Sequence, residues 1–282
     1  KPDRRQRQMC IRDRTRREDL DSPKFQGTKT NVSFDSTNNN LNLAGGGNFD
    51  DITDFDTVGS LDDFGGIVPE GTYDFGGTAG GDTLDLGGVF SLDLKRHFLT
   101  EGFYPSDLFD SRGLIDDITD FDGATATEVN AEMLVRVTQD DPSGSPTYSD
   151  FQTFANGTYK GRGFQFRAKL TSNDTAQDIR VSQLGYTASL QRRIEQGNVI
   201  ASGAGAKAVT FTNPFFVGTS SLLGANTNLP SVGINAQNMA SGDYFEVSSI
   251  SGTGFTVHFK NSSNASIDRN FTYQAVGFGK GG

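Results

Sequence analysis

Tryptophan is missing from this 282-residue chain, and cysteine occurs once, at Cys10. A single cysteine forms no internal disulfide, and without a second thiol a Cys-ligated zinc site has nothing to build on. There are two histidines, His97 and His258, far apart in sequence and in no His-x-x-x-His or Ser-His-Asp pattern. Both read as surface or strand-packing residues. No stretch approaches the roughly 18 apolar residues of a membrane-crossing helix, and none has the form of a secretory h-region. Gly197, Gly203 and Gly205 are followed by no helix pattern, so they make no dinucleotide loop.

Hydrophobic residues are also few, at 34 %. Disorder is nevertheless a poor reading, because aromatics reach 11 %, carried by 23 Phe and 7 Tyr. With 35 Gly against 8 Pro, and abundant Thr, Ser and Asn, the composition predicts short strands, tight turns and thin cores. The formal net charge of -10 repels phosphate backbones and anionic lipid, which argues against nucleic acid or membrane insertion.

The first twenty residues do not match the rest. They hold eight basic and four acidic residues in an otherwise acidic chain. Within them, Met9-Cys10-Ile11-Arg12-Asp13-Arg14 reads as translated transposon-end DNA of the kind used in sequencing adapters. Residues 1–20 are therefore expected to be an adapter artefact without structure, against the rival readings of a nucleic-acid-binding arm or a localisation signal. The same match points to a metagenomic assembly and to a chain truncated at its N-terminus. Setting the segment aside removes Cys10.

Period-two alternation runs through the remainder of the chain. Val32, Phe34, Leu41 and Leu43 predict a hairpin around an Asn-rich turn. Strand-sized pieces come next at Gly71–Phe75, Thr83–Gly87 and Phe90–Lys95. Met133, Val135 and Val137 share one face of a strand, and Phe164, Phe166, Ala168 and Leu170 share one face of the cleanest strand. Val181–Leu190 is another, and Gln191–Gly197 reads as a linker. Beyond it, strands are expected at Ala208–Phe211, Ser231–Ala236, Tyr244–Ile250, Phe255–Lys260 and Phe271–Val276. No 3.6-residue period of helical length stands out. The expected fold is all-β and antiparallel, with two sandwich domains of jelly-roll or lectin-like form: residues 31–191, then a small sandwich at 198–282.

The heptapeptide DDITDFD occurs twice, at Asp50–Asp56 and Asp116–Asp122. Two copies do not imply a solenoid. Asp50, Asp51, Asp54 and Asp56, with Asp116, Asp117, Asp120 and Asp122, are the candidate metal ligands, since clustered carboxylates suit Ca²⁺. The spacing lacks the central Gly and terminal Glu of an EF-hand loop. The plainer reading is a solvated acidic turn with Ile52 and Phe55, or Ile118 and Phe121, packing inward. No other cofactor is expected. Paired acids could also serve glycoside hydrolysis, but 35 Asp and Glu make some pair inevitable. Arg162 and Arg167 flank the aromatic strand, where each is expected to pair with an Asp rather than stack on a sugar. In the C-terminal region Asn235, Gln237, Asn238, Asp243 and Tyr244 are the candidate ligand-binding residues, offering amides, a carboxylate and a ring to a glycan. Tyr244, Phe255, Tyr273 and Phe278 are otherwise expected to be core, because the region has little else to bury.

Two stretches carry a family resemblance. VRVTQDDPSGSPTYSDFQTF…GRGFQFRAKLTSND…VSQLGYTASL spans Val135–Leu190, and NVIASGAGAKAVTFTNPFF…VGINAQNMASGDYFEVSSISGTGFTVHFKNSSNASIDRNFTYQAVGFGKG spans Asn198–Gly281. Both resemble the C-terminal region of phage tail-tip attachment proteins, the host-specificity J-like proteins of siphophages and gene-transfer-agent tails. The repeated DDITDFD and the DTLDLGGVF stretch fit the same family, so the resemblance covers roughly residues 30–282. The second stretch is also similar in layout to small H-type-lectin-like sandwiches. The resemblance implies a non-enzymatic virion protein at the tail tip, extracellular when it functions and commonly trimeric. Its implied partners are other tail proteins and a host envelope glycan or surface protein. Two departures stand against it: family members often carry Trp where this chain has Tyr148 and Phe151, and the chain ends in Gly-Lys-Gly-Gly. The family supplies no catalytic motif. The rival readings are a tail-associated polysaccharide depolymerase and a secreted, Ca-dependent bacterial adhesin.

Overall fold

The computed structural model describes residues 11–45, 66–76, 83–105, 126–219 and 227–281. Within them the chain is all-β, antiparallel and without a helix. Both DDITDFD copies lie outside the described residues.

Sixteen strands form among the described residues: β1 (Ile11–Arg17), β2 (Thr28–Thr30), β3 (Val32–Asp35), β4 (Asn40–Leu43), β5 (Glu70–Asp74), β6 (Leu84–Phe103), β7 (Val129–Thr138), β8 (Gln152–Thr153), β9 (Gly157–Ser172), β10 (Asp178–Ala201), β11 (Lys207–Thr210), β12 (Ser231–Ala236), β13 (Tyr244–Ser248), β14 (Gly254–Lys260), β15 (Asn270–Phe278) and β16 (Lys280–Gly281). Thirteen join one bent sheet, and β11, β14 and β13 form a second. The predicted hairpin is β3–β4, with Val32 opposite Leu43 and Phe34 opposite Leu41. Asn39 closes it at φ 57°, a left-handed conformation that Asn tolerates better than most residues.

Three strands are far longer than ordinary strands of about 5–6 residues. Strand β6 has 20 residues, β9 has 16 and β10 has 24. Each changes neighbours along its length. The first half of β6 pairs with β9 and its second half with β10. Register shifts at Asp85/Phe90 and Val181/Gln183 mark where these ladders are irregular. Such bulges bend a strand and increase its twist, which lets one strand serve two sheet faces.

Alternation sends Phe164, Phe166, Ala168 and Leu170 inward from β9, as the sequence predicts. Phe166 stacks on Tyr186 of β10 at 4.1 Å and 21°, and Phe75 and Phe154 pack around Phe166 at 5.7 and 5.4 Å. Burying one such ring stabilises the fold by about 1.5–3 kcal/mol, and a well-placed aromatic pair adds about 0.5–1.5. A second core gathers Val209, Phe211, Phe215, Phe255, Val257, Phe259, Phe271, Tyr273 and Ala275.

The structure departs from the sequence reading in two places. Gln191–Gly197, expected to be a linker, is the middle of β10: Arg192–Gln196 pair residue by residue with Phe278–Gln274 of β15. Polarity on both faces suggests a linker, but the inward polar groups find partners, the Arg193 Nε excepted. Arg193 lies 3.9 Å above the Phe215 ring and 3.0 Å from Glu195, whose other oxygen accepts the Thr212 N–H at 2.7 Å. The expected division at 191–198 therefore falls inside one continuous strand.

Residues 11–20 are the second departure. Strand β1 pairs with β10 over seven positions, Ile11 opposite Gln191 to Arg17 opposite Gly185. Gly185 makes this possible, since a Cβ there would fall 2.2 Å from the Arg16 carbonyl oxygen. Past the adapter-like residues come two buried acids. Glu18 takes the Arg16 guanidinium at 2.7 Å and the Tyr73 hydroxyl, which also accepts the Gly27 N–H at 2.7 Å. Asp19 takes Arg17 at 2.6 and 2.9 Å and the Leu184 N–H at 3.1 Å. Charge counting misplaces this segment because Arg16 and Arg17 are each paired with an acid two positions on.

Asp178 anchors the β3–β4 hairpin to β10, accepting the Leu43 N–H at 3.1 Å and the Ile179 N–H at 2.6 Å. Desolvation pushes its carboxyl up to about 6, against the lowering effect of those two N–H groups.

Two outcomes are expected. Tyr73→Phe removes a hydroxyl that answers both Glu18 and Gly27, and lowers the unfolding free energy by about 1–3 kcal/mol in denaturant titration. A chain starting at Asp21 loses more, because the whole β1 ladder goes with it. For Asp178, the folded form binds its proton more tightly than the unfolded chain, so its contribution is fully present below about pH 4 and is lost as pH rises through about 6. Melting curves of wild type and Asp178→Asn across that window should show wild type gaining relative stability towards the acid side.

Candidate functional site

Strands β10, β15 and β12 lie side by side, with Phe271, Tyr273 and Ala275 of β15 turned into the second core. The alternate residues face outward. Gln196, Gln274 and Gly233 are opposite one another in one row across the three strands, and Thr272 and Asn235 form the next row. Adjacent strands are about 4.8 Å apart and successive outward residues about 7 Å, which sets the footprint. The result is an open trough of about 530 Å³ lined by Gln196, Gly197, Gly233, Ile234, Asn235, Thr272, Tyr273 and Gln274.

Two glycines shape it. At Gly197 a Cβ would meet the Tyr273 ring at 2.0 Å, so the ring lies flat against bare backbone. At Gly233 the only neighbour of an added Cβ would be the Gln274 carbonyl oxygen at 3.9 Å, so the floor is open above that strand. Just past Gly197 the ladder shifts register before Ile200, and the edge of the trough bends there. Ile194, 55 % exposed, sits next to Gln196 on the outward face, opposite Val276.

Among the described residues, no carboxylate, cation or histidine lines the trough. Its chemistry is that of primary amides and a hydroxyl, each able to donate and accept. A smaller hollow of about 220 Å³ on the outward face of β7 and β9 is different, with Glu132 and Lys169 among its lining residues and Lys169 held by Glu70 at 2.9 Å.

Of the five expected ligand-binding residues, Asn235 lines the trough and the other four do not. The Gln237 N–H closes the end of β12 on the Asn270 carbonyl at 2.7 Å, and Asn238 occupies a left-handed turn at φ 56°. Asp243 accepts the Ala240 N–H at 2.8 Å and the Arg269 guanidinium at 2.6 and 2.9 Å. These bonds, the backbone one first, hold its carboxyl below the usual range. Asp243 thus clamps the loop before β13 to the start of β15. Tyr244 donates its hydroxyl to Asn264 at 2.6 Å and lies on the outer edge of the smaller sheet beside Phe245. The eight aspartates of the repeat lie outside the described residues. Among the described residues no group of three or more His, Cys, Asp or Glu gathers as a metal site.

The arginines behave as the sequence suggests. Arg162 contacts Asp85 at 3.2 Å and Asp141 at 2.7 Å, and Arg167 makes a two-point pair with Asp74 at 2.6 and 2.9 Å. Arg167 also lies 4.3 Å over Phe151, which Arg136 approaches at 4.7 Å while lying 4.8 Å from Tyr148. This ladder straps the segment before β8 onto β7 and β9. His97 touches Thr187 and His258 touches Ser266, each at 2.8 Å. Phe255 and Tyr273 are core, and Phe278 packs against the first core.

Gln196, Gln274, Thr272 and Gly233 do not stand out in the sequence. The alternation Phe271, Tyr273, Ala275 already places Thr272 and Gln274 outward, but Gln196 is hidden while its segment looks like a linker. No protein family, curated protein or solved structure matches this chain.

Two roles are separable by stability. Arg269→Met should lower the melting temperature, because the Asp243 clamp loses its cation. Gln196→Ala and Gln274→Ala, both exposed, should each change stability by no more than about 0.5 kcal/mol.

Proposed function

We propose that this chain is a phage tail-tip protein that attaches the virion to its host by binding envelope glycan, without cleaving it. One observation carries the reading: the uncharged, amide-lined trough on a sheet face backed by the second core. Such a surface offers directional hydrogen bonds to hydroxyl groups, and none of the described residues lining it is an acid. Glycoside hydrolysis needs two carboxylates roughly 5–10 Å apart, one of them protonated. The resemblance of Val135–Leu190 and Asn198–Gly281 to tail-tip attachment proteins supports the same reading. It also supports assembly as a trimer alongside other tail proteins. Three shallow sites on one rigid tip would gain avidity without strong single contacts.

The long strands favour a mechanical role as well. Strand β10 runs past both cores as one continuous strand, so a load applied at one end travels along its covalent backbone and is shared sideways through its ladders with β6, β1 and β15. That suits a protein which must hold a particle against a surface.

The test uses the full chain, fluorescently labelled, on bacterial envelopes from a host panel, with and without chelator, while released sugar is assayed. Saturable binding to some envelopes, unaffected by chelator and without sugar release, is expected. Sugar release would replace the attachment reading with that of a depolymerase. Binding lost on chelation would favour the Ca-dependent adhesin, with the repeated aspartates as its ligands. Absence of binding to every envelope, including that of a verified host, would sink attachment altogether.

A further inference from the structure

We propose that the trough over β10, β15 and β12 is a subsite for a neutral, hydroxyl-rich sugar unit, with Gln196 and Gln274 as its specificity-determining residues. The inference rests on the attachment reading only for the source of the glycan; the ligand chemistry comes from the trough itself.

The side chains of Gln196, Gln274, Asn235 and Thr272 make no hydrogen bond to any described residue. Several glutamines elsewhere among the described residues are engaged: Gln165 joins Arg136 to Thr83, Gln177 holds Glu128 and Asp174, and Gln191 holds Asp93. The trough thus keeps three amides on adjoining rows with their full donor and acceptor capacity facing outward. A primary amide can engage two neighbouring hydroxyls at once, giving to one and accepting from the other. Gln196 and Gln274 share a row, and Asn235 lies one row on, so groups on two sides of a ring seated over Gly233 fall within reach.

Charge selects against the alternatives. An anionic sugar needs a cation to offset its desolvation, and none of the described residues lining the trough supplies one. The chain's net charge of -10 repels an anionic polymer at longer range. A cationic ligand would find no carboxylate among the lining residues. The exposed Ile194 side chain beside Gln196 and its neighbour Val276 offer an apolar shoulder for the C–H face of a ring.

Gly233 gives a test that keeps the fold. Its added Cβ would meet nothing closer than 3.9 Å, and its backbone is not left-handed, so Gly233→Leu fits β12 and fills the trough. The experiment titrates the full chain, labelled with ¹⁵N, with neutral oligosaccharides (dextran, mannan, chitin and cellulose fragments) and with polygalacturonate and sialylated oligosaccharides. The side-chain NH₂ signals of Gln196 and Gln274 should move with at least one neutral probe and with neither anionic one. Gly233→Leu should weaken that binding at least about tenfold with its melting temperature unchanged or raised. Gln196→Ala with Gln274→Ala should change which neutral probe is preferred.

Movement with the anionic probes alone would overturn the inference. So would a Gly233→Leu variant that binds the neutral probe as tightly as wild type, or the lack of any response to neutral probes at millimolar concentration. The envelope assay separates the two readings. If Gly233→Leu still binds cells fully, the subsite is wrong and attachment stands. If wild type binds a neutral probe but no cells, the subsite stands and attachment is wrong.

Discussion

Strand β10 hydrogen-bonds along 24 residues to β6, β1 and β4 in its first half and to β15 in its second. Both cores are built against it. Ile179, Val181, Leu184, Tyr186, Ala188 and Leu190 face the first, and Ile200 packs on the second. Buried backbone N–H and C=O groups must find partners, so a strand this long commits its neighbours to fixed registers from end to end. The C-terminus adds to the commitment, for β16 returns to pair with Phe90 and Ser91 of β6, and the Gly279 N–H bonds the Gln191 carbonyl at 3.0 Å. Phe216, after β11, packs edge-on against Phe90 at 5.7 Å and belongs to the first core. The two halves exchange segments across a shared strand, and neither has a boundary that cuts few contacts.

That arrangement explains how a chain with 34 % hydrophobic residues folds without disulfides. Thin cores bury little, and the shortfall is met by aromatic stacking and by polar groups satisfied at the edges of each core. Glu18 with Tyr73, Asp19 with Leu184 and Asp178 with Leu43 put a carboxylate on a buried donor, and Glu195 takes the exposed Thr212 N–H at the rim of the second core. Each of the four joins strands or loops distant in sequence. They act as fasteners whose value lies in the cost of leaving either partner alone.

Much of the all-β architecture is legible in the sequence because period-two alternation is a local signal. Ser231–Ala236 is predicted to the residue and β7, β13, β14 and β15 to within a few, while β9 begins seven residues before the predicted Phe164. What escapes is non-local. Thr83–Gly87 and Phe90–Lys95 look like two strands because Gly87 and Gly88 interrupt the apolar pattern, yet they belong to one strand with a bulge at φ 71°. Gln191–Gly197 looks like a linker because charge appears on both faces, and only the Phe215 ring and the loop at Thr212 show where Arg193 and Glu195 go. The pairing of β1 with β10 joins residues about 170 positions apart, and no spacing within either segment announces it.

The trough obeys the same logic. Asn235 is reachable from its strand alone, since alternation within Ser231–Ala236 puts it outward. Its companions come from β10 and β15, and they become companions only through the register that sets Gln196 opposite Gln274 and Gln274 opposite Gly233. A shift of one residue in either ladder would turn the amides inward and bring the apolar set to the surface. The inward faces prevent that shift: Tyr273 lies flat on Gly197, and Phe271 packs on Phe259 at 5.6 Å. The glycine that admits the Tyr273 ring on the core side therefore keeps Gln196 opposite Gln274 on the other. Packing inside the sheet and recognition outside it depend on one register.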